Sequence, residues 1–207
     1  MRRILSVLVM VLSVSAFGGV TPGVEAGTKL RGTYAVTSIR TCTVSTGFPF
    51  GIDATGLPTL IPPGVVRQES VDAGVLIFRQ DGTGASIGRS KTMNLTTTAP
   101  NASILSISEY NNPFTFVVND DDTVDLSFGL GTAGVLLGSG AGDTVTISPR
   151  SGHLQIADQG RVILDAPATT VEQETLSFQV PNGSPFTQYR ICSRSSTAAP
   201  LRQSDFD

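Results

Sequence analysis

The residues of this 207-residue chain that could carry out catalysis are few, and each lacks a partner that its chemistry needs. Residues 84–88 match the G-x-S-x-G pattern of a nucleophilic serine, Ser86, and His153 is the one histidine that could act as its base. That chemistry needs a sharp turn from a strand into a helix, whereas this pattern follows a hairpin turn and precedes no helical pattern. The sequence therefore predicts no catalytic residue, although it does not exclude an enzyme.

Two further patterns resemble ligand sites without their structural context. Residues 129–134 match G-x-G-x-x-G, but the glycine-rich residues 135–142 that follow disfavour the helix of a dinucleotide site. Acidic residues 120–122 and Asp125 offer oxygen ligands for calcium, but they lack EF-hand spacing, and we interpret them as a solvent-exposed turn. One histidine and two cysteines do not suffice for a tetrahedral zinc site. The sequence predicts neither a cofactor nor a metal site.

Glu172 and Glu174 form the clearest pair of carboxylates. They fall on one face of a predicted strand, about 7 Å apart at the usual rise per residue. A glycosidase needs two such groups on either side of a cleft. The commoner explanation for two glutamates is the solvent-facing side of a sheet, and we interpret them in that way.

Cys42 and Cys192 are the only cysteines, and they lie in the first and last strand-like segments of the chain. An even number of cysteines in an exported protein predicts a disulfide, and the alternative is two buried free thiols. A bridge requires the two Cα atoms to lie within about 7 Å. It would therefore bring the first and last strands together, as closing a sheet into a barrel does.

The N-terminus predicts export. Arg2 and Arg3 precede an apolar stretch, residues 4–17, which is too short to span a bilayer and is followed by small residues. We expect a signal peptide over residues 1–26, with cleavage after Ala16 as the alternative, and a protein that is periplasmic or extracellular. The other interpretation of the same segment is a retained N-terminal membrane anchor. Removal of the signal peptide would change the formal charge of the chain from −3 to −4. An acidic chain with two lysines does not fit nucleic-acid binding.

Short alternating segments recur about every ten residues from position 30 onward, and no segment carries a helical apolar stripe. They predict an all-β domain over residues 27–196: a single antiparallel barrel, closed or nearly closed, of about 8–10 strands. A β-sandwich is the alternative. Asp81-Gly82 predicts a tight hairpin turn, and residues 111–113 predict another turn. Residues 45–70 predict a long apolar loop, either a lid or a plug, and residues 197–207 a flexible tail.

Two short patches carry a resemblance to a known group of proteins. The opening Leu30-Arg31-Gly32-Thr33-Tyr34 resembles the Gly-x-aromatic start of lipocalin-like barrels. The hairpin at residues 78–84 resembles those of small secreted bacterial proteins with calycin-like or allene-oxide-cyclase-like barrels. The resemblance implies a closed antiparallel barrel with an interior cavity, and it assigns no functional residue.

The function predicted from these features is binding of a small apolar molecule inside the barrel, without catalysis. One apolar wall is expected from alternating residues of two neighbouring strands: Phe114, Phe116, Val118, Val124, Leu126 and Phe128. The first alternative is a structural or surface-interaction protein of the cell envelope. The second is an outer-membrane barrel. The chain has no Trp and only three Tyr for the aromatic girdles of such a barrel, which disfavours this alternative. We expect no membrane insertion after signal cleavage, and the sequence leaves the oligomeric state open.

Overall fold

The computed structural model describes residues 30–53, 58–95, 106–157, 162–165 and 172–201. The predicted signal peptide and residues 202–207 lie outside these ranges, so the cleavage site stays a prediction. Within the described residues, no helix has the length and hydrophobicity needed to cross a membrane.

The described residues form strands joined by turns. The strands are β1 (Gly32–Thr46), β2 (Gly51–Ile52), β3 (Pro58–Leu60), β4 (Val66–Phe78), β5 (Thr83–Asn94), β6 (Ser106–Val118), β7 (Thr123–Phe128), β8 (Gly131–Leu137), β9 (Thr144–Ile147), β10 (Arg150–Ala157), β11 (Val162–Asp165), β12 (Glu172–Gln179) and β13 (Phe186–Pro200). β2 and β3 make a small separate hairpin, and all other strands belong to one sheet.

That sheet is a closed antiparallel barrel of eight strand positions. Four continuous strands, β1, β4, β5 and β6, follow one another around the wall, and β13 pairs with β1 to close it. The remaining wall consists of three interrupted strands, each made of two consecutive segments: β7 with β8, β9 with β10, and β11 with β12. The predicted barrel is therefore confirmed, and the sandwich alternative is wrong.

Pro113 explains why one of these strands is interrupted. The predicted turn at residues 111–113 is wrong, because β6 runs through it with Asn112 and Pro113 paired to β5. Proline has no backbone N–H to offer a second neighbour. The partner strand breaks beside it, between Phe128 and Gly131, and Gly129 N–H donates to the Pro113 carbonyl at 2.9 Å. The proline is thus accommodated by a break in its neighbour instead of a turn in its own strand.

The inward-facing side chains are apolar at one end of the barrel and more polar in the rest of the interior. At the end formed by β7, β10 and the C-terminal part of β6, the inward side chains form one buried cluster with the start of β1. Phe78 contacts Tyr34, Phe114 and Phe116 edge to face, with ring centroids 5.0–5.6 Å apart. Such aromatic packing fills a small barrel without leaving room for solvent. This end of the barrel is therefore a packed core.

Two predicted boundaries differ from the observed strands. The connection predicted over residues 45–70 is shorter, because β4 already begins at Val66, opposite Val44 of β1. It contains the β2–β3 hairpin, and its side chains Phe48, Leu60 and Ile61 are 61–63% exposed instead of covered. The tail predicted from residue 197 is also shorter, because β13 continues to Pro200, which pairs with Tyr34. The first residues of β4 and the last residues of β13 both belong to strands because they pair with β1.

The two turns predicted from acidic and glycine residues are observed. Gly82 adopts a positive φ of 77° between β4 and β5. The Asp81 carboxylate accepts hydrogen bonds from the N–H and hydroxyl of Thr83 at 3.0 and 2.7 Å. Between β6 and β7, Asp121 makes the same two contacts with Thr123. Short polar side chains that bind the backbone two residues on are typical of tight turns.

Candidate functional site

The barrel is closed covalently as well as by hydrogen bonds. Cys42 and Cys192 occupy directly opposite positions on β1 and β13, and their sulfur atoms are joined. The Cα atoms lie 4.1 Å apart, and both residues are buried on the inward side. The predicted disulfide is confirmed, and with it the placement of the first and last strands side by side.

Beyond the packed apolar end, the barrel contains a cavity of about 510 Å³ that is partly open to the surface. Volumes of this size are typical of sites for small molecules. The cavity is bounded by side chains from strands all around the wall and reaches the turn between β8 and β9. It is the candidate functional site of the protein.

The two sides of the cavity differ in chemistry. β5 and β6 contribute hydroxyl and amide groups, with Tyr110 among them: Ser90, Thr92, Asn94, Ser106, Ser108, Tyr110 and Asn112. β8, β9 and β12 contribute an apolar wall whose side chains pack against one another: Ala133, Val135, Val145, Ile147, Leu176 and Phe178. A pocket with one polar and one apolar side suits a molecule that has both kinds of surface.

Glycines on the polar side make room for Tyr110. Gly74, Gly88 and Tyr110 lie next to one another across β4, β5 and β6. A Cβ atom at Gly88 would lie 2.7 Å from the Tyr110 hydroxyl and 2.8 Å from the Gly74 Cα. Burial raises the pKa of the Tyr110 phenol, as does the nearby Asp72 carboxylate. Tyr110 is therefore a neutral hydrogen-bonding group of the cavity near pH 7.

Between these sides lies a set of ionised residues that we call the interior charge cluster. Its members are Arg40, Asp72, Arg150, Glu172, Glu174, Arg190 and Arg194, all of which except Glu172 also line the cavity. Glu174 is at its centre, with a side chain only 2% exposed. Its carboxylate accepts from Arg40 Nη1 at 3.0 and 3.1 Å, and Arg150 Nε lies 3.3 Å away.

The other ion pairs extend the cluster in two directions. Arg40 Nε lies 3.3 Å from Asp72, which also accepts a hydrogen bond from the Ser38 hydroxyl at 3.0 Å. Glu172 lies 2.9 Å from Arg150 Nε and 3.1 Å from Arg194 Nη2. Each carboxylate of the cluster thus has at least one guanidinium partner.

The arrangement keeps its groups ionised inside the barrel. Burial alone would raise the pKa of Glu174, but the four arginines of the cluster, Arg190 with the smallest effect, together outweigh it and lower the pKa to about 2. Burial would likewise lower the pKa of Arg40, but Glu174 and Asp72 raise it above its ordinary range. Buried charges persist when they are paired in this way.

Arg190 differs from the other three arginines. It occupies an inward position on β13, directly opposite Val44 of β1 and Glu174 of β12. Its Nη2 donates to the neutral Gln188 side chain at 3.1 Å, whereas the other three each contact a carboxylate of the cluster. Burial lowers the pKa of Arg190 to about 10, with Glu174 acting in the opposite direction. The group remains a cation at neutral pH.

The sequence interpretation of the glutamate pair is wrong in one respect. Glu172 and Glu174 do share a face of β12, but that face is the interior, and Glu174 is among the most buried polar residues of the barrel. The sequence did contain a signal for the inward face, because Leu176 and Phe178 follow the glutamates at intervals of two residues and therefore lie on the same face of the strand. The arginines that neutralise the pair come from β1, β10 and β13, and no local pattern connects them.

The predicted ligand-lining residues all point into the barrel at its apolar end. Phe114, Phe116, Val124, Leu126 and Phe128 are buried in one cluster, and Val118 packs against it. Leu126 and Phe128 also border the cavity, and Arg150 lies 4.5 Å above the Phe128 ring. Contact between these residues and a ligand stays a prediction.

The other residues considered as possible catalytic or metal-binding groups do not lie close together. Ser86 points inward on β5, whereas His153 lies on β10 with its imidazole half exposed and 2.6 Å from the Asp125 carboxylate. The Asp121 carboxylate binds Thr123, and Asp125 binds Asn119 and His153. Among the described residues, no group of three or more His, Cys, Asp or Glu side chains has the geometry of a metal site.

The fold and the cavity define the class: a closed, disulfide-linked antiparallel barrel of eight strand positions with an ionised interior. No family model matches the chain, and no curated protein matches it. Among solved structures, Neisserial surface protein A is similar, with 10% sequence identity and a TM-score of 0.47 over 82% of this chain and 97% of that chain. This similarity concerns the course of the strands and carries no functional information. Membership of the calycin-like group stays a prediction.

Proposed function

We propose that this protein is an exported barrel that binds a small molecule with polar and apolar parts in its interior. The observation that carries the proposal is the 510 Å³ cavity, which has a hydroxyl- and amide-lined side facing an apolar wall. Ligand sites commonly combine a mostly apolar lining with a few polar groups that fix orientation. The apolar part of the ligand would contact β8, β9 and β12, and the polar part would lie toward β5 and β6.

Export is supported by the N-terminal charge and hydropathy pattern together with the disulfide. Disulfides persist in oxidising compartments, and Cys42–Cys192 closes a loop of about 150 residues. The outward faces of β7 and β10 support a barrel that is surrounded by water, whereas other strands expose the apolar side chains Ile39, Val71, Val117 and Leu137. Exterior positions of β7 and β10 carry Asp125, Ser127, Ser151, His153 and Gln155, and an exposed Arg89–Glu109 pair bridges β5 and β6. A membrane barrel presents an apolar band instead.

Native mass spectrometry tests the proposal. The full chain is exported from a bacterial host, purified without detergent and measured intact. We expect added mass that leaves on denaturation, together with the loss of two hydrogens from the disulfide. A bare mass would contradict binding of a ligand present in that host.

A pair of variants on one strand places the bound mass in the cavity. Ala133 lines the apolar wall, whereas its neighbour Thr132 occupies an outward position on β8. Ala133→Phe should fill the cavity and remove the added mass, and Thr132→Phe should retain it. Equal loss or equal retention in the two variants would show that the mass is bound elsewhere.

A second candidate function, a surface-interaction protein of the envelope, is favoured by a separate observation. Phe48, Leu60 and Ile61 are large apolar side chains that lie exposed in the segment between β1 and β4. Exposed apolar groups that cluster on a surface commonly mark contacts with other molecules. Sedimentation over a range of concentrations tests this function, and self-association that Phe48→Ser abolishes would support it.

A further inference from the structure

We propose that the cavity binds an anionic group of its ligand, a carboxylate or a phosphate, against the guanidinium of Arg190. This inference rests on the proposed function, and it adds the chemical class of the ligand and the residue that recognises it.

The first argument is the balance of charge. The interior charge cluster contains four guanidinium groups and three carboxylates, so within the cluster one guanidinium has no carboxylate of its own, and the buried Asp143 elsewhere in the cavity makes the formal charges of the whole cavity equal. A further acidic lining residue, Asp143, belongs to the turn between β8 and β9 and to none of the strands that carry the cluster. A guanidinium without an adjacent counter-ion is unfavourable inside a protein, and an anion bound beside it would supply that partner.

The second argument identifies which arginine is available. Glu174 and Glu172 are occupied by Arg40, Arg150 and Arg194 through contacts of 2.9–3.3 Å. Among the described residues, no carboxylate lies within ion-pair distance of Arg190, whose only side-chain partner is the neutral Gln188. Its buried Nε has no hydrogen-bond partner, and the same is true of Arg40 Nε, Arg150 Nη1 and Arg194 Nε, but those three arginines already form ion pairs with carboxylates. A guanidinium with free donors on one edge matches the two oxygens of a carboxylate or phosphate.

The third argument is the surroundings of Arg190. It lines the same cavity as the apolar side chains Leu176 and Phe178, which lie on the neighbouring strand β12. Phe178 also stacks on Phe186 at a centroid distance of 4.5 Å. A short aliphatic chain with an anionic head group could thus place its head at Arg190 and its chain along β12.

Titration calorimetry with three ligands of six carbon atoms each tests the inference on the full exported protein. Hexanoate and hexyl phosphate carry the two anionic heads, and hexanamide carries a neutral head of similar shape. We expect at least one anion to bind tenfold or more tightly than hexanamide. Whichever anion binds more tightly identifies the head group.

Three variants assign the effect to one residue. Arg190→Gln should weaken binding of the preferred anion at least tenfold and leave hexanamide unchanged, and Arg190→Lys should recover part of the loss. Arg89→Gln removes an exposed guanidinium from the outer wall and should change nothing. A purely structural role for Arg190 would weaken all ligands alike.

Unfolding of the ligand-free protein gives a second readout. Because Arg190 is a buried cation without an ion pair, Arg190→Met should leave the denaturant midpoint unchanged or raise it. A clearly lower midpoint would mean that Arg190 holds the barrel together, and it would overturn the assignment to ligand binding.

The possible failures are distinguishable. If hexanamide binds as tightly as both anions, the cavity binds small molecules but the anionic class is wrong. If none of the three binds and the purified protein also has a bare native mass, the proposed function fails and this inference fails with it.

Discussion

Arg40 and Arg194 occupy directly opposite positions on β1 and β13, two residues from the disulfide along each strand. Closing the barrel therefore brings two like charges face to face in its interior. The conflict is resolved by β12, on the other side of β13, which places Glu172 and Glu174 between the guanidinium groups. The ionised interior is thus a property of the closed barrel and not of any strand alone.

Removal of the central carboxylate should be costly. Glu174→Gln would leave Arg40, Arg150 and Arg194 without their shared partner, and breaking a buried ion pair in this way typically costs about 3–5 kcal/mol. Urea unfolding of the variant should show a loss of this size. The control is Glu109→Gln, which removes an exposed carboxylate and should cost under about 1 kcal/mol. Similar losses in both variants would contradict the central role of Glu174.

The same residue should make stability depend on pH. The pKa of Glu174 falls from its ordinary value of 4.5 to about 2 on folding, so the unfolded chain binds the proton more tightly. Its stabilising contribution is complete above about pH 4.5 and is lost as the pH falls toward 2. Unfolding free energies measured from pH 6 to pH 2 should decrease, and the decrease should be smaller in Glu174→Gln. Parallel curves would show that other carboxylates cause the effect.

The disulfide should contribute strongly to the stability of the closed barrel. It links positions 150 residues apart, and a loop of this length corresponds to roughly 5 kcal/mol in the chain-entropy model, which is an upper bound. The double variant Cys42→Ala/Cys192→Ala should therefore unfold at a clearly lower denaturant concentration, with a loss of about 2–5 kcal/mol. Wild-type protein in reductant should behave like the variant. An unchanged midpoint in both would mean that strand pairing alone closes the barrel.

Two glycines offer a matched test of the aromatic core. Gly84 faces Phe114 across β5 and β6, and a Cβ atom at Gly84 would overlap the phenyl ring. Gly84→Ala should cost about 1–3 kcal/mol, which is typical of overpacking. Gly134 on β8 has nothing within 4 Å of the same position, so Gly134→Ala should be neutral or stabilising by up to about 1 kcal/mol. Thermal unfolding compares the two, and equal effects would contradict the close contact with Phe114.

The sequence by itself determined the barrel class, because that information is local or follows from compartment chemistry. Alternation such as Phe114-Thr115-Phe116 fixes which side of a strand is buried, and Asp81-Gly82 fixes a turn through its backbone geometry. Two cysteines in the first and last strands were enough to predict how the barrel closes. These signals depend on neighbours in the chain or on a single pairing.

Only the tertiary structure decided what lies inside the barrel. The spacing of Glu172 and Glu174 with Leu176 puts all three on one face of β12, but it does not show how two charges can be accommodated inside the barrel. Their partners Arg40, Arg150 and Arg194 come from three other strands, and strand order and register alone bring them together. Pro113 likewise reads as a turn until its neighbouring strand is known to break beside it. Long-range pairing sets both outcomes, and no local pattern encodes it.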